Sequence, residues 1–194
     1  MPSSLVHSKL PHGAIALACL GGSLLGAPTA AAGDASATGG AAFVPPPPPP
    51  AKAKIGPDGK VIAPLSAPPR VKRVIAAANR LVRKPYRWGG GHRPFSRGID
   101  SGYDCSGSVS YALYGGRFLR SPLDSTGFMS WARRGTGRWI TIYSSSSHAY
   151  VVVAGLRFDT SMRDKDSPGP ASGPRWSKRL RRSAAFRPRH PAGY

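Results

Sequence analysis

Two runs of apolar residues recur at helical spacing in the second half of the chain. The first run ends before Pro85 and consists of Val71, Val74, Ile75, Ala78, Leu81 and Val82. The second run opens at Cys105, closes at Gly115-Gly116 and includes Val109, Ala112 and Leu113. Spacings of three and four residues that end at proline or glycine predict two amphipathic helices, with Cys105 at the start of the second.

Farther along the chain the apolar pattern changes to that of strands. Residues 139–143 alternate between apolar and polar, residues 148–154 are rich in valine, and residues 156–160 can return after a turn at Ala154-Gly155. This pattern predicts an antiparallel sheet of at least three strands. Helices followed by strands predict an α+β fold, with N-terminal helices packed on an antiparallel sheet.

The beginning of the chain has a different character. Residues 13–27 form an apolar run that is shorter than the roughly 20 residues needed to cross a bilayer, and small residues follow it. This arrangement predicts a signal peptide over residues 1–32, cleaved after Ala30 or Ala32, and no stable membrane insertion after cleavage.

A proline-rich segment separates this signal from the helices. Residues 33–69 contain the unbroken run Pro45–Pro50 and few branched or aromatic residues that could form a core. We expect this segment to be a disordered linker. The folded domain is then predicted over residues 70–194.

The chain carries a large positive charge. It contains 28 Lys and Arg against 8 acidic residues, for a net charge of +20, which excludes a protein that binds cations through an acidic surface. Residues 174–194 contain basic side chains and no acid, so we expect a basic C-terminal tail that binds anionic polymers or forms a solvated face. Export from the cell argues against nucleic acid as a partner.

Removal of the signal peptide would leave one thiol, Cys105, and three histidines. The positive end of a helix dipole favours the thiolate form of a cysteine at the helix start. A buried free cysteine without chemistry is the alternative. An exported protein seldom keeps an unpaired thiol without a use for it, which favours Cys105 as a nucleophile.

His148 is the best candidate for the partner base. It opens the valine-rich strand and would share one face with Tyr150 and Val152, directed toward the start of the second helix. A half-buried histidine with a purely structural role is the alternative. His92 and His190 lie in Gly/Arg-rich and Pro/Arg-rich stretches that we expect to hold a base poorly.

A third group should orient the imidazole. A two-residue turn at Ala154-Gly155 pairs Val153 with Leu156 and puts Asp159 on the same face as His148. A turn that is longer or shorter by one residue would present Thr160 instead. We predict Asp159.

The sequence then resembles a known family. Pro85-Tyr86-Arg87-Trp88-Gly89-Gly90, Tyr103-Asp104-Cys105-Ser106-Gly107 and a histidine before a valine-rich strand together resemble the NlpC/P60 cysteine peptidases. The resemblance implies a rearranged papain-like domain that cleaves an amide bond in peptidoglycan stem peptides, after γ-linked D-glutamate. It implies Cys105 as nucleophile, His148 as base and then acid, and no metal or cofactor.

The resemblance also implies substrate-binding residues. Tyr86 would help to hold the substrate or the oxyanion, and Asp104 and Ser106 would line the substrate pocket. Packing for Tyr86 and helix capping for the other two are the alternatives. The chain departs from the family in its bulky Tyr150, where glycine is common, and in lacking the usual Pro-Gly-Asp-Leu stretch before the histidine strand.

These observations predict a secreted, cell-wall-associated, monomeric cysteine endopeptidase. Its partners would be peptidoglycan and anionic cell-wall polymers. Two other functions remain open at this stage: an exported wall-binding module without turnover on the same scaffold, and a related thiol amidase or acyltransferase.

Overall fold

Three helices and a six-stranded antiparallel sheet form the folded part of the chain. The computed structural model describes Pro45 and residues 48–161, 173–181 and 184–194. The predicted α+β class is confirmed. The predicted signal peptide lies outside the described residues, and no described helix has the length and apolar character to span a bilayer.

The helix and strand bounds follow the chain order. The helices are α1 (Pro69–Asn79), α2 (Cys105–Gly115) and α3 (Ser125–Ser130), with a 3-10 turn at Phe95–Arg97. The strands are β1 (Lys54–Ile55), β2 (Val61–Ile62), β3 (Arg133–Arg134), β4 (Ile140–Ser144), β5 (Ala149–Val153), β6 (Leu156–Asp159), β7 (Arg175–Ser177) and β8 (Arg187–His190). The order in the large sheet is β3-β8-β4-β5-β6-β7, while β1 and β2 pair as a separate hairpin.

One apolar cluster joins the helices to the sheet. The alternate residues Ala149, Val151 and Val153 of β5 are fully or almost fully buried together with Val109 and Leu113 of α2. The body of α2 therefore packs on the odd-numbered face of β5, where small and β-branched side chains let the helix approach closely. The imidazole of His148, just before β5, meets the start of α2 as predicted, because it hydrogen-bonds Cys105.

The turn between β5 and β6 has the predicted length. Ala154 and Gly155 have φ values of 47° and 79°, the positive values of a two-residue hairpin turn. Val153 pairs with Leu156, which confirms the predicted register. This register determines which residue near the end of β6 can reach His148.

The predicted linker includes residues that are folded. Strands β1 and β2 form a hairpin within residues 33–69, and its backbone is tied to the domain because the Asn79 side chain both donates to and accepts from Val61, at 2.9 Å each. Ala53 and Val61 are buried. The domain therefore begins before residue 70, and the turn sequence Pro57-Asp58-Gly59 is the signal that could have indicated this.

The predicted basic tail is also part of the fold. Strand β7 pairs with β6, and β8 lies between β3 and β4 in the sheet. Arg175 and Arg189 are buried, and the Arg189 guanidinium donates to the carbonyl of Met129 at 2.7 Å. The tail prediction is wrong for these segments because backbone pairing and Trp176 hold them in the sheet despite their charge.

Trp176 should be a major contributor to stability. Its ring is 2 % exposed, packs on Phe158 with ring centroids 4.9 Å apart, and its indole N–H donates to Asn79. We expect Trp176→Ala to lower the free energy of unfolding by roughly 3–5 kcal/mol in urea titrations. Trp88, which is 87 % exposed, is the matched control, and Trp88→Ala should cost less than about 0.5 kcal/mol. Similar losses for both variants would contradict this account.

Candidate active site

Cys105 is the first residue of α2, and the residue is 8 % exposed. The helix begins here because Asp104 caps it, accepting a hydrogen bond from the Gly107 N–H at 2.7 Å. Burial raises the pKa of the Cys105 thiol. Hydrogen bonds with the His148 side chain and the Ala149 backbone outweigh burial, so that the net pKa is lower than usual. The environment therefore favours the thiolate.

His148 lies between β4 and β5, at the end of a tight loop. The loop is closed by a hydrogen bond from the Ser145 N–H to the His148 carbonyl at 2.9 Å, which brings the residue to the start of β5. Burial lowers the pKa of His148, but hydrogen bonds with Asp159 and Cys105 and the charges of both raise it to about 9. The imidazole is therefore positively charged at neutral pH.

Asp159 is the residue that orients the imidazole. Its Oδ1 lies 2.9 Å from His148 Nε2, and its side chain is fully buried. Burial raises the pKa of Asp159, but the hydrogen bond from His148 lowers it below its usual range. An ionised carboxylate only accepts, so Nε2–H donates to Asp159, and Nδ1 is the nitrogen left for the thiol.

Residues that sequence reasoning missed also contact Asp159. Ser161 donates to its Oδ1 from both the backbone N–H at 3.0 Å and the hydroxyl at 3.2 Å. Arg181 donates to the Ser161 hydroxyl at 2.9 Å and lies 3.6 Å from Asp159 Oδ2. These contacts hold the carboxylate in place. No local sequence pattern predicts the contact of Arg181 with Asp159, because Arg181 comes from a distant, C-terminal part of the chain.

The candidate substrate-binding residues surround the thiol. A cavity of about 290 Å³ is lined by Cys105, Asp104, Ser106, Trp88 and residues of the loops at 124–126 and 146–147. Tyr86 lies close by, and burial together with the negative groups of Cys105 and Asp104 raises its pKa. Cys105, Asp104 and Ser106 thus line one cavity, and the charges of Cys105 and Asp104 act on Tyr86. A wider groove of about 670 Å³ beside the hairpin contains neither Cys105 nor a histidine.

His92 is a further residue that sequence reasoning set aside. Its Nε2 lies 3.0 Å from both carboxylate oxygens of Asp104, and it lines the same cavity as Cys105. The surrounding loop is held by an Asp100 carboxylate that accepts from the Gly91 N–H and pairs with Arg93. The Gly/Arg-rich composition suggested a mobile loop because composition alone does not show that Asp104 pairs with His92 and Asp100 with Arg93.

Tyr150 occupies the position where glycine was expected. Its ring stacks on Tyr143 with centroids 5.0 Å apart and lies 6.4 Å from the His148 ring. Its buried hydroxyl has no hydrogen-bond partner among the described residues, and burial raises its pKa to about 12. Tyr150 therefore packs beside the imidazole, on the face of the sheet opposite α2, and leaves the contact between His148 and Cys105 intact.

The Asp159 carboxylate should control the charge of His148. We expect Asp159→Asn to lower kcat by roughly 100-fold, since a neutral amide no longer stabilises the imidazolium. The alkaline limb of the kcat profile should move down from about 9 toward the ordinary histidine value of 6.5. Thr160→Val, which changes the residue next to it, should leave the limb in place. An unshifted limb in Asp159→Asn would contradict the assignment.

Comparisons with known proteins find several solved structures that are similar to this chain. A scan of protein families finds no match for this chain, and neither does a search of curated proteins. The P60 domain of antigen MAP1204 from M. avium subspecies paratuberculosis is similar at 21 % identity and a TM-score of 0.46, covering 62 % of this chain and 93 % of that one.

Two further structures come from Mycobacterium tuberculosis. The peptidoglycan hydrolase RipB is similar at 23 % identity and a TM-score of 0.45, over 64 % of this chain and 66 % of that one. The hypothetical invasion protein Rv1477 is similar at 22 % identity and a TM-score of 0.45, over 73 % of this chain and 69 % of that one. The roles of the residues in the present chain rest on its own geometry.

Proposed function

We propose that this protein is a secreted cysteine endopeptidase that hydrolyses an amide bond in peptidoglycan stem peptides. The observation that carries the proposal is the hydrogen-bonded series Cys105–His148–Asp159, with the thiol at a helix N-terminus. A buried cysteine without chemistry would not need a histidine held in one orientation by a buried carboxylate. This arrangement supports covalent catalysis by the thiolate.

The geometry supports an acyl-enzyme mechanism. The Cys105 thiolate attacks the scissile carbonyl carbon, and the His148 imidazolium gives its Nδ1 proton to the leaving amine. The acyl group is then on sulfur. His148, now neutral, takes one proton from water as the water oxygen attacks the thioester. The tetrahedral intermediate then expels the Cys105 thiolate and releases the carboxylic acid, which loses its remaining proton to solvent, so that the thiolate and the imidazolium are both restored.

The start of α2 supports the charged intermediates. The first N–H groups of a helix have no partner within it, so the N–H groups at Cys105 and Ser106 are suited to stabilise the oxyanion. The Cys105 charge acts on the pKa of Tyr86, which supports Tyr86 as a further group that assists there. These donors are fixed before the substrate arrives, which is the condition for strong electrostatic stabilisation.

The substrate class rests on the motifs and on charge. Residues 85–90 and 103–107 resemble the NlpC/P60 peptidases, and we propose that the scissile bond follows γ-linked D-glutamate in the stem peptide. The net charge of +20 favours attraction to anionic cell-wall polymers, and this attraction should weaken as salt is added.

The test is product analysis on purified peptidoglycan with the full chain. We expect soluble fragments whose new ends, identified by mass spectrometry, are a γ-D-glutamyl carboxylate and a free amine. Prior alkylation with iodoacetamide should abolish release, and a Cys19→Ala variant should behave like the wild type in both conditions. Sedimentation with the wall without release, or products that carry a transferred acyl group, would contradict the proposal.

A further inference from the structure

The Asp104 carboxylate is already fully hydrogen-bonded within the protein. Its Oδ1 accepts from the Gly107 N–H at 2.7 Å, and its Oδ2 accepts from the Gly89 N–H at 3.1 Å. His92 Nε2 lies 3.0 Å from both oxygens, and the Ser106 hydroxyl donates to Oδ1 at 3.3 Å. A carboxylate offers about four acceptor sites, and these contacts occupy them. The Asp104 charge therefore acts mainly on the neighbouring groups of the protein.

The position of Asp104 creates an electrostatic problem for the nucleophile. It directly precedes Cys105 in the chain, and a negative charge next to a thiol disfavours the thiolate. The Asp104 charge acts to raise the pKa of Cys105, against the effect of His148. A site that works through a thiolate needs this charge to be balanced.

His92 is placed to balance it. Its side chain is 27 % exposed, and a carboxylate only accepts, so Nε2–H donates to Asp104. The hydrogen bond from His92 to Asp104 raises the pKa of His92, and burial opposes that rise less strongly. The contact with Asp104 therefore favours the imidazolium form of His92.

We propose that His92 is a positioning residue that neutralises the Asp104 carboxylate beside Cys105, so that the thiol lies next to a neutral pair instead of a bare negative charge. The site then contains two histidines with different tasks: His148 exchanges protons with the reacting groups, and His92 acts through Asp104. The inference rests on the proposed function in taking Cys105 as the nucleophile.

Several other charged or titratable groups face these side chains. The thiol is acted on by His148, Asp104 and His92, and Tyr86 lies close to it. His92 is acted on by Asp104, Cys105 and Asp124, and Asp100 lies close to it. Asp104 is the one of these that hydrogen-bonds His92, which makes it the group whose charge His92 can cancel.

The test measures the thiol directly and needs no substrate. The rate of alkylation of Cys105 by iodoacetamide is followed against pH in the full chain carrying Cys19→Ala. We expect His92→Gln to raise the apparent thiol pKa by about one unit, which makes alkylation about tenfold slower on the acid side of the profile. Asp104→Asn, which retains a capping side chain, should lower the thiol pKa.

A double variant and a rescue separate charge from structure. In the Asp104→Asn background, His92→Gln should change the alkylation rate by less than about threefold, because there is no charge left to balance. His92→Lys, which restores a positive charge near Asp104, should bring the thiol pKa back toward the wild-type value. Circular dichroism spectra identify any variant that has lost its fold.

The outcomes are distinct. An unchanged thiol pKa in His92→Gln, or an equal shift with and without the Asp104 charge, would overturn the inference. His190→Gln, in β8, is the matched control and should have no effect. If the couplings appear as expected while peptidoglycan is not cleaved, the electrostatic role of His92 stands and the proposed function alone fails.

Discussion

Replacement of Cys105 with alanine is expected to reduce stem-peptide hydrolysis by at least about a thousandfold, because the described part of the chain holds no second thiol that could form the acyl intermediate. Cys105 is the one free cysteine among the described residues, and its thiol is activated by His148. The measurement is the initial rate of fragment release from purified peptidoglycan. The melting temperature should change little, since one small side chain at a helix start is removed.

The Cys105→Ser variant tests whether an ionisable thiol is required at this position. Cys105→Ser keeps the shape of the side chain but lacks a group that ionises near neutral pH, so it should remain close to the alanine variant in rate. Cys19→Ala should retain wild-type activity. Substantial release by Cys105→Ala would show that the thiol is not the nucleophile and would remove the proposed mechanism.

Replacement of His148 with glutamine is expected to have the second-largest effect, a loss of roughly a thousandfold in kcat. Glutamine can still donate a hydrogen bond, but it cannot stabilise the thiolate as a cation or protonate the leaving amine. Alkylation of Cys105 near pH 6.5 should slow as well, because the thiol loses the partner that lowers its pKa. His190→Gln should leave both rates unchanged.

The pH profile of activity should reflect the ionisation of the same two residues, Cys105 and His148. Catalysis needs the thiolate together with the imidazolium. Activity should therefore rise with pH as Cys105 ionises below the usual cysteine pKa, and fall as His148 loses its proton at about 9. Residual activity of His148→Gln should lack the alkaline limb. A limb that persists unchanged in this variant would mean that another group titrates there.

Local signals were sufficient for the central part of the site. The start of α2 is determined by Asp104 as a cap, which lies three residues before the Gly107 N–H that it accepts from. Asp159 follows from a two-residue turn, because strand alternation fixes the face once the turn length is known. Both inferences need only neighbouring residues, and both agree with the structure.

Contacts between distant segments were beyond such reasoning. Strands β7 and β8 contain three arginines, one tryptophan and one proline among their residues, so charge obscured a strand pattern that backbone pairing and the burial of Trp176 stabilise. The β1–β2 hairpin depends on Asn79, which is 18 residues away from Val61. A segment with few apolar residues, such as this hairpin, is predicted to be unfolded when the surface that it packs against is unknown.

By itself the sequence determined the two helices, the strands β4 to β6, and the selection of Cys105, His148 and Asp159 as the proposed catalytic group, because helical spacing, alternation and turn length are local properties. Only the tertiary structure decided which face of β5 meets α2, that the C-terminal strands complete the sheet, and that His92 pairs with Asp104 beside the thiol. Packing and ion pairs between remote residues depend on the folded arrangement, which short-range patterns do not encode.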